Sequence, residues 1–151
     1  LAAGGIVHNL PGTDKDAVLR RLVASMPLPA DVDPDFLHSV LLAREALGST
    51  AVGGGVAIPH PRSPILLRVP AALITLCFLE QPIDFGALDG QPVQALFSMI
   101  SPTTRIHLHL LSRLAHALQD SGFRGCLARR AGAEEILAAA RRLEAQSASK
   151  N

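Results

Sequence analysis

An apolar run from Val69 to Leu79 limits the possible folds more than any other stretch of the sequence. It is about half as long as a membrane-spanning helix, which needs roughly 20 residues, and Pro70 stands near its start. As a strand it would have one apolar face and a second that is nearly as apolar. The first face carries Ile74, Leu76 and Phe78, and the second carries Leu73, Thr75, Cys77 and Leu79. Such strands are typically covered on both sides. We therefore predict a layered α/β domain with helices on both faces of its sheet.

Length and composition indicate a globular protein of one domain. The 151 residues are 48% apolar and 18% charged, which excludes a disordered segment and allows a sizeable core. We assign residues 1–146 to one domain and expect the tail, residues 147–151, to fray. The net charge is +1, and the chain lacks Trp and Tyr. Because a nucleic-acid site needs clustered basic residues or stacking aromatics, we expect this domain to bind no nucleic acid.

The cysteines and the start of the chain predict its location. Cys77 and Cys126 have no C-x-x-C or zinc-type spacing, which is typical of free thiols in a reducing cytoplasm. No charged segment followed by an apolar core opens the sequence, so we expect no secretion signal and no direct membrane insertion. The sequence starts at Leu1 rather than at a methionine, and we expect further domains of a longer protein before it.

Capping residues and periodicity predict the first two helices. The first extends from an N-cap at Thr13 to about Met26. Asp33 and Pro34 begin the second, since proline is tolerated at the first helical position, and Gly48 supplies its left-handed C-cap. The predicted apolar stripe of this helix is Phe36, Val40, Ala43 and Leu47, widened by Leu37 and Leu41.

Two further strands and a third long helix follow from the same patterns. Strands are predicted at Ile6–Leu10 and Val93–Ile100, and a helix from about Arg105 to Gln119. The predicted buried stripe of that helix is Leu108, Leu111, Leu114, Ala115 and Leu118. His107 lies beside the stripe and can face the protein. On the opposite side, His109, Arg113 and His116 are interpreted as a solvated basic face, because no carboxylate or cysteine joins them at metal-ligand spacing.

The segment from Arg44 to Arg62, REALGSTAVGGGVAIPHPR, contains groups suited to a phosphoryl group. His60 follows a short apolar run that is typical of a strand end. A neutral imidazole is a nucleophile, and its ordinary pKa of about 6.5 leaves most of it uncharged at neutral pH. A histidine after a proline is also an ordinary polar loop residue, so the spacing alone leaves both interpretations open.

Several neighbours of His60 in the sequence could bind phosphate oxygens. Arg44 offers a charged donor, Ser49 and Thr50 offer hydroxyls, and free N–H groups of Gly53–Gly55 could form an anion nest. His107 could hydrogen-bond to a phosphate oxygen as a second histidine. For Arg44 a structural alternative exists, because an arginine in the last turn of a helix complements the helix dipole.

Two other sets of titratable residues have alternative interpretations. Asp84 and Asp89 could form an acid/base pair, but Asp89 precedes Gly90 and is typical of a turn. His60 and His107 could bind zinc for a hydrolytic reaction, although no H-E-x-x-H motif or carboxylate at ligand spacing accompanies them. We therefore predict no metal site and no cofactor.

Three ordered motifs of the chain resemble one family. The pattern RE-A-LGST-x-x-G-x-G-x-AIPH resembles the active-site signature of the fructose/mannitol-type enzyme IIA domains of the bacterial phosphoenolpyruvate-dependent phosphotransferase system. This family includes the nitrogen-regulatory subgroup. The later segments PIDFGALDGQPV and HLHLLSRLA resemble the same family's segments in the same order, so the resemblance covers about residues 5 to 145.

The resemblance implies a mixed β-sheet flanked by helices on both faces and a cytoplasmic phosphohistidine carrier. By position, His60 is similar to the phosphorylated histidine, which accepts phosphate from the histidine-containing phosphocarrier protein. His107 is similar to the second active-site histidine, and Arg44 to the arginine of the motif. The downstream partner would be a IIB domain or a regulatory target protein. The LGST form and the absence of attached membrane segments favour the nitrogen-regulatory subgroup over a sugar transporter.

Two positions depart from the family pattern. Gly54 stands where members often carry Asn or Glu, which removes a polar group near the site, and Pro61 replaces a common glycine after the histidine. Pro61 stiffens the loop and removes one N–H donor. An alternative function is therefore a non-catalytic IIA-like interaction or sensor domain of a larger regulatory protein.

Overall fold

The computed structural model describes residues 1–149, which form five strands, five α-helices and one short 3-10 helix. The strands are β1 Ile6–Leu10, β2 Ala51–Gly53, β3 Val56–Ala57, β4 Leu73–Ile83 and β5 Val93–Ile100. The helices are α1 Lys15–Ser25, α2 Pro34–Ala46, α3 Thr104–Ala117, α4 Ser121–Ala128 and α5 Ala133–Ala148, and the 3-10 helix spans Pro64–Leu67. These elements confirm the predicted α/β class.

The strands form one mixed sheet in the order β1-β4-β5-β3-β2. At its centre β4 and β5 pair antiparallel, β1 pairs parallel to β4, and β3 pairs parallel to β5. At the edge, β2 and β3 pair antiparallel. Because β3 and β5 are parallel, their carboxyl ends lie at the same edge of the sheet, where α/β proteins commonly place their sites.

The strand predicted from the apolar run is β4, and both of its faces are buried. Leu76 and Phe78 on one face and Cys77 and Leu79 on the other are each 0% exposed. The face with Cys77 belongs to an apolar cluster to which α1 and α2 contribute Val18, Leu19, Leu22, Val23, Leu37 and Leu41. Full burial of one such side chain contributes roughly 1.5–3 kcal/mol, so this layer holds both helices to the sheet.

The start of α1 differs from the prediction by one residue. Asp14, rather than Thr13, is the N-cap, and its carboxylate accepts a hydrogen bond from the Ala17 N–H at 2.8 Å. A carboxylate at this position satisfies an unpaired N–H and also complements the helix dipole. The cap of α2 is as predicted, with Asp33 accepting from the Asp35 N–H and Pro34 at the first position.

The predicted apolar stripe of α2 was wrong at Phe36 and Leu47, which are 45% and 64% exposed, and was right at Leu37 and Leu41, which are buried. The other buried residues of this helix are polar, His38 and Glu45. The two polar residues can be buried here because each makes a hydrogen bond or an ion pair with another side chain. His38 Nε2 lies 2.7 Å from Asp16 Oδ1, and the Glu45 carboxylate accepts from Lys15 and Thr50.

The stripe predicted for α3 was wrong at Leu108 and at Ala115, which are both exposed. Leu108 is 60% exposed, whereas the neighbouring His107 is only 4% exposed. The helix begins at Thr104, and the Thr103 hydroxyl accepts from the Ile106 N–H at 3.2 Å. His107 can take the buried position because Ser101 provides its ring with a polar partner.

The chain divides into two compact units, Leu1–His107 and Leu108–Asn151. The first contains the sheet, α1 and α2. The second contains ion pairs of its own, between Arg129 and Glu135 and between Arg142 and Asp120.

The domain boundaries stay predictions, both the single domain of residues 1–146 and the frayed tail of 147–151. Helix α5 ends at Ala148, and residues 150–151 lie outside the described part. Within residues 1–149, no helix is both long enough and apolar enough to cross a membrane.

Candidate functional site

His60 lies at the carboxyl end of β3, beside the end of β5. The pairing of β3 with β5 continues past Ala57, because the Met99 N–H donates to the Pro59 carbonyl at 3.2 Å. The backbone is therefore held against the central strands up to the residue before His60. This placement gives the imidazole a rigid support, although only two residues of β3 have regular strand geometry.

One hydrogen bond fixes the imidazole of His60. Its Nδ1 lies 2.6 Å from the carbonyl oxygen of Ile58. Because a carbonyl oxygen can only accept, Nδ1 carries the hydrogen of the neutral ring, and Nε2 carries the lone pair. The structure therefore leaves a nucleophilic nitrogen at Nε2.

The surroundings of His60 favour its neutral form. Burial is the main cause that lowers its pKa below the usual 6.5, and the positive charge of Arg44 lowers it further. The Ile58 carbonyl and the Glu45 carboxylate oppose this shift by stabilising the protonated ring. Since burial prevails, His60 is neutral at pH 7 and its Nε2 lone pair is available.

The second predicted histidine, His107, is next to His60. The two ring centroids are 5.2 Å apart, and the ring planes are inclined by 47°. His107 Nδ1 lies 3.1 Å from Ser101 Oγ, which follows the end of β5. Burial, with a contribution from His60, lowers the pKa of His107. His60 and His107, which are far apart in the sequence, therefore form a pair of adjacent neutral imidazoles.

Arg44 occupies the last turn of α2 and serves two purposes. Its Nη1 donates to the Gly48 carbonyl at 2.9 Å, which is the structural alternative considered from the sequence. Its charge also acts on His60, as the lowered pKa of that residue indicates. A guanidinium has five N–H donors, so the bond to Gly48 does not use all of them.

The hydroxyls of Ser49 and Thr50 are both engaged within the protein. Ser49 Oγ donates to the Phe85 carbonyl and accepts from the Ala51 N–H. Thr50 is 5% exposed, and its hydroxyl donates to Glu45. Both hydroxyls donate to acceptors of the protein itself, and their assignment to phosphate binding stays a prediction.

A chain of contacts leads from α1 to His60. The Lys15 Nζ donates to the carboxylate of Glu45 at 3.1 Å, and Glu45 accepts from both the hydroxyl and the N–H of Thr50. The Thr50 carbonyl accepts from the Ile58 N–H at 3.0 Å. The carbonyl of Ile58 then accepts from His60. Thr50 thus connects a buried carboxylate to the backbone that orients the imidazole.

The glycines before His60 form a hairpin turn rather than a flexible loop. Gly53 pairs with Val56, so Gly54 and Gly55 make a two-residue turn, and both have positive φ, at 63° and 78°. Such turns favour glycine at both central positions. The strand β2 was not predicted, because its three residues, Ala-Val-Gly, carry no alternating pattern.

The expected anion nest at these glycines is wrong at Gly54. Its N–H donates to the carboxylate of Asp89 at 2.9 Å, so this N–H is already bound to an anionic group of the protein. Asp89 also accepts from the Gln91 N–H, and Asp84 accepts from the Gly86 N–H. Both aspartates therefore stabilise turns through hydrogen bonds to backbone N–H groups, as the sequence indicated for Asp89.

Two groups near the site were not identified from the sequence, Glu45 and Ser101. Glu45 stands beside Arg44 in the motif, but nothing in the pattern shows that its side chain turns inward. Ser101 stands six residues before His107, across a turn that the sequence does not define. Within residues 1–149, no three His, Cys, Asp or Glu side chains lie close enough together to hold a metal ion.

The chain was compared with known proteins. A family model described as phosphoenolpyruvate-dependent sugar phosphotransferase system, EIIA 2, matches residues 1–142. A nitrogen regulatory protein of Pseudomonas aeruginosa is 38% identical over 128 residues, which cover 82% of this chain and 80% of the relative.

Solved structures have the same fold. The crystal structure of the nitrogen regulatory protein IIA-Ntr from Neisseria meningitidis matches with a TM-score of 0.79 and 29% identity, covering 93% of this chain and 94% of that one. In a complex of the mannitol enzyme IIA and phosphorylated enzyme IIB from Escherichia coli, a chain matches with a TM-score of 0.73 at 20% identity. That match covers 93% of this chain and 96% of the other.

Proposed function

Because the chain belongs to the EIIA 2 family of the phosphoenolpyruvate-dependent sugar phosphotransferase system, we propose that it carries its phosphoryl group on Nε2 of His60. The chain is a phosphocarrier of the nitrogen-regulatory or the fructose/mannitol type, and it works through a phosphohistidine. The observation that carries the proposal is the hydrogen bond from His60 Nδ1 to the Ile58 carbonyl. It leaves Nε2 as the nitrogen with a lone pair.

The transfer exchanges one nitrogen–phosphorus bond for another. The donor is the phosphohistidine of the histidine-containing phosphocarrier protein. The Nε2 lone pair of His60 attacks the phosphorus, and the donor nitrogen leaves with the electron pair of the bond that breaks. The hydrogen on His60 Nδ1 stays on its nitrogen and keeps the Ile58 carbonyl as its acceptor. No proton has to leave His60 during this step.

The protein stabilises the charge on the transferred group. In phosphoryl transfer, positioning and electrostatic stabilisation supply most of the catalysis. Arg44 contributes positive charge and N–H donors. His107 contributes a ring N–H, because its ring centroid lies 5.2 Å from that of His60. Ser49 and Thr50 act mainly as positioning residues, since their hydroxyls hold Phe85 and Glu45.

The partners follow from the family. The phosphocarrier protein is the upstream donor, and a IIB domain or a regulatory target protein receives the phosphoryl group or senses it. The mannitol enzyme IIA of Escherichia coli, which has the same fold, is known in complex with phosphorylated enzyme IIB. The similarity to a nitrogen regulatory protein over 82% of the chain favours a regulatory target. A cytoplasmic location stays a prediction.

The test is phosphorylation of the purified protein followed by intact mass. The protein is incubated with phosphoenolpyruvate, enzyme I and the phosphocarrier protein, beside the variants His60→Ala and His109→Ala. We expect one phosphoryl group on the native protein and on His109→Ala, since His109 is exposed. We expect none on His60→Ala.

Two outcomes would contradict the proposal. A labelled His60→Ala protein would place the phosphoryl group on another residue. If the native protein stays unlabelled while a control acceptor is labelled in the same mixture, the departures at Gly54 and Pro61 mark a site that no longer accepts phosphate. The chain would then be a sensor domain of the same fold.

A further inference from the structure

Ser101 is the polar partner of the buried imidazole of His107. It follows β5 directly, it is 0% exposed, and its Oγ lies 3.1 Å from His107 Nδ1. His107 itself is 4% exposed. A buried pair of this kind has few ways to satisfy its hydrogen-bonding groups, so the position of each hydrogen can be derived.

The hydroxyl hydrogen of Ser101 needs an acceptor. Within residues 1–149, the hydroxyl of Ser101 makes one hydrogen bond, to His107 Nδ1. If Nδ1 carried the ring hydrogen, Ser101 would have to accept, and its own hydrogen would be buried without a partner. An unpaired buried donor is costly, at roughly 1–3 kcal/mol. The hydroxyl therefore donates to Nδ1.

The ring hydrogen of neutral His107 is then on Nε2. A neutral imidazole carries one hydrogen, so a nitrogen that accepts leaves the other as the donor. This state is the reverse of that of His60, whose Nδ1 carries the hydrogen and whose Nε2 carries the lone pair. A nucleophilic nitrogen and a donating nitrogen are thus available on neighbouring rings.

We propose that Ser101 is a positioning residue that holds His107 in the tautomer with hydrogen on Nε2, so that the ring donates to the phosphoryl group on His60. The inference rests on the proposed function of His60. With the opposite tautomer, His107 would present a lone pair to negatively charged oxygens. Ser101 also fixes the ring plane, because a hydrogen bond at Nδ1 opposes rotation of the buried side chain.

The first test is the tautomer itself, measured on the unphosphorylated native protein. Two-bond ¹H–¹⁵N correlation spectra distinguish a protonated ring nitrogen from an unprotonated one. We expect His107 to be protonated at Nε2, with Nδ1 as a hydrogen-bonded acceptor. A hydrogen on Nδ1 would overturn the proposal. This measurement needs no phosphotransfer, so it stands even if the native protein accepts no phosphate and the proposed function fails.

The second test is the rate of phosphorylation of Ser101→Ala by the phosphorylated carrier protein. Loss of one neutral hydrogen bond predicts a rate about three- to tenfold lower. The matched control is Ser98→Ala in β5, three residues before Ser101. Ser98 is also 0% exposed, and within the described residues its Oγ has no hydrogen-bond partner. We expect this variant to be phosphorylated at the native rate.

A double-mutant cycle shows whether Ser101 acts through His107. In a His107→Ala background, Ser101→Ala should slow the reaction no further. An equal effect with and without His107, or a native rate for Ser101→Ala, would overturn the proposal. If Ser101→Ala does not fold, Ser101→Thr replaces it as the variant that keeps the hydroxyl. It should retain the native tautomer of His107, and a hydrogen on Nδ1 in that variant would count against the proposal.

Discussion

The two histidines of the site lie with ring centroids 5.2 Å apart, yet they are held by different kinds of partner. His60 donates to a backbone carbonyl, that of Ile58, whereas His107 contacts a side-chain hydroxyl, that of Ser101. A carbonyl can only accept, so it fixes the tautomer of His60 whatever residue supplies it. A hydroxyl can donate or accept, so its surroundings decide the tautomer of His107.

The two rings therefore depend on different parts of the chain. The acceptor nitrogen of His60 depends on the path of the backbone at the end of β3, which the sheet holds. The proposed donor nitrogen of His107 depends on the identity of one side chain, that of Ser101. Substitutions around His60 should therefore change its reactivity by moving the backbone. The tautomer of His107 should instead change when one hydroxyl, that of Ser101, is removed.

After His60→Ala, which should abolish phosphorylation, His107→Ala should lower the rate most. Removal of one aimed donor from a reaction site lowers rates by roughly 10- to 100-fold, at or below the range known for oxyanion donors. We expect the variant to reach the same final mass, with one phosphoryl group, but with this slower rate in quenched-flow measurements. An unchanged rate would remove His107 from the site and break the comparison between the two rings.

A change at Glu45 should disturb His60 more than His107. Glu45→Ala leaves the buried N–H and hydroxyl of Thr50 unpaired, and Lys15 loses its partner. We expect a loss of about 1–3 kcal/mol in the free energy of unfolding, measured by urea titration. Glu45→Gln keeps an acceptor and should lose less.

The same Glu45 variants sharpen the comparison by NMR. The contacts from Glu45 through Thr50 and Ile58 lead to His60, so the ring signals of His60 should shift. Those of His107 should stay near their native positions. Equal shifts of both rings would show that the two partners are not independent.

The pH dependence of phosphorylation should follow His60. A protonated Nε2 has no lone pair, so the rate falls when pH drops below the pKa of this ring. Burial lowers that pKa below 6.5, and we expect a constant rate between about pH 7 and 8 with a decline of about tenfold per unit well below the pKa.

The decline at low pH should still follow His60 when His107 is removed. In the proposed tautomer His107 donates from Nε2 whether its ring is neutral or protonated, so His107→Ala should give a slower rate that still falls as pH drops below the pKa of His60. The measurement is the initial rate at each pH with the phosphorylated carrier held in excess. A midpoint above pH 6.5 would contradict the buried environment described for His60.

The smallest effect is expected at the hairpin turn. Asp89→Ala removes the carboxylate that holds the Gly54 N–H, but Asp89 is exposed and water can replace it. We expect a rate within about threefold of the native one, because exposed hydrogen bonds contribute little. A tenfold loss would mean that the turn itself positions His60.

Several features were predictable because they depend on local pattern. The buried strand β4 and the cap at Asp33 follow from local pattern, and the candidates His60 and His107 follow from two separate motifs. The buried face of α2 was not predictable, since His38 and Glu45 are buried only because Asp16 and Lys15 reach them from another helix. For the same reason the sequence did not reveal Ser101, whose role depends on how the chain turns after β5.

Phosphorylation of His60 at Nε2 is best measured by ¹⁵N and ³¹P NMR of the phosphorylated protein with labelled histidine. We expect a phosphorus-coupled Nε2 on His60, with the hydrogen still on Nδ1 opposite the Ile58 carbonyl. Phosphorus on Nδ1 of His60, or on any other residue, would contradict this expectation.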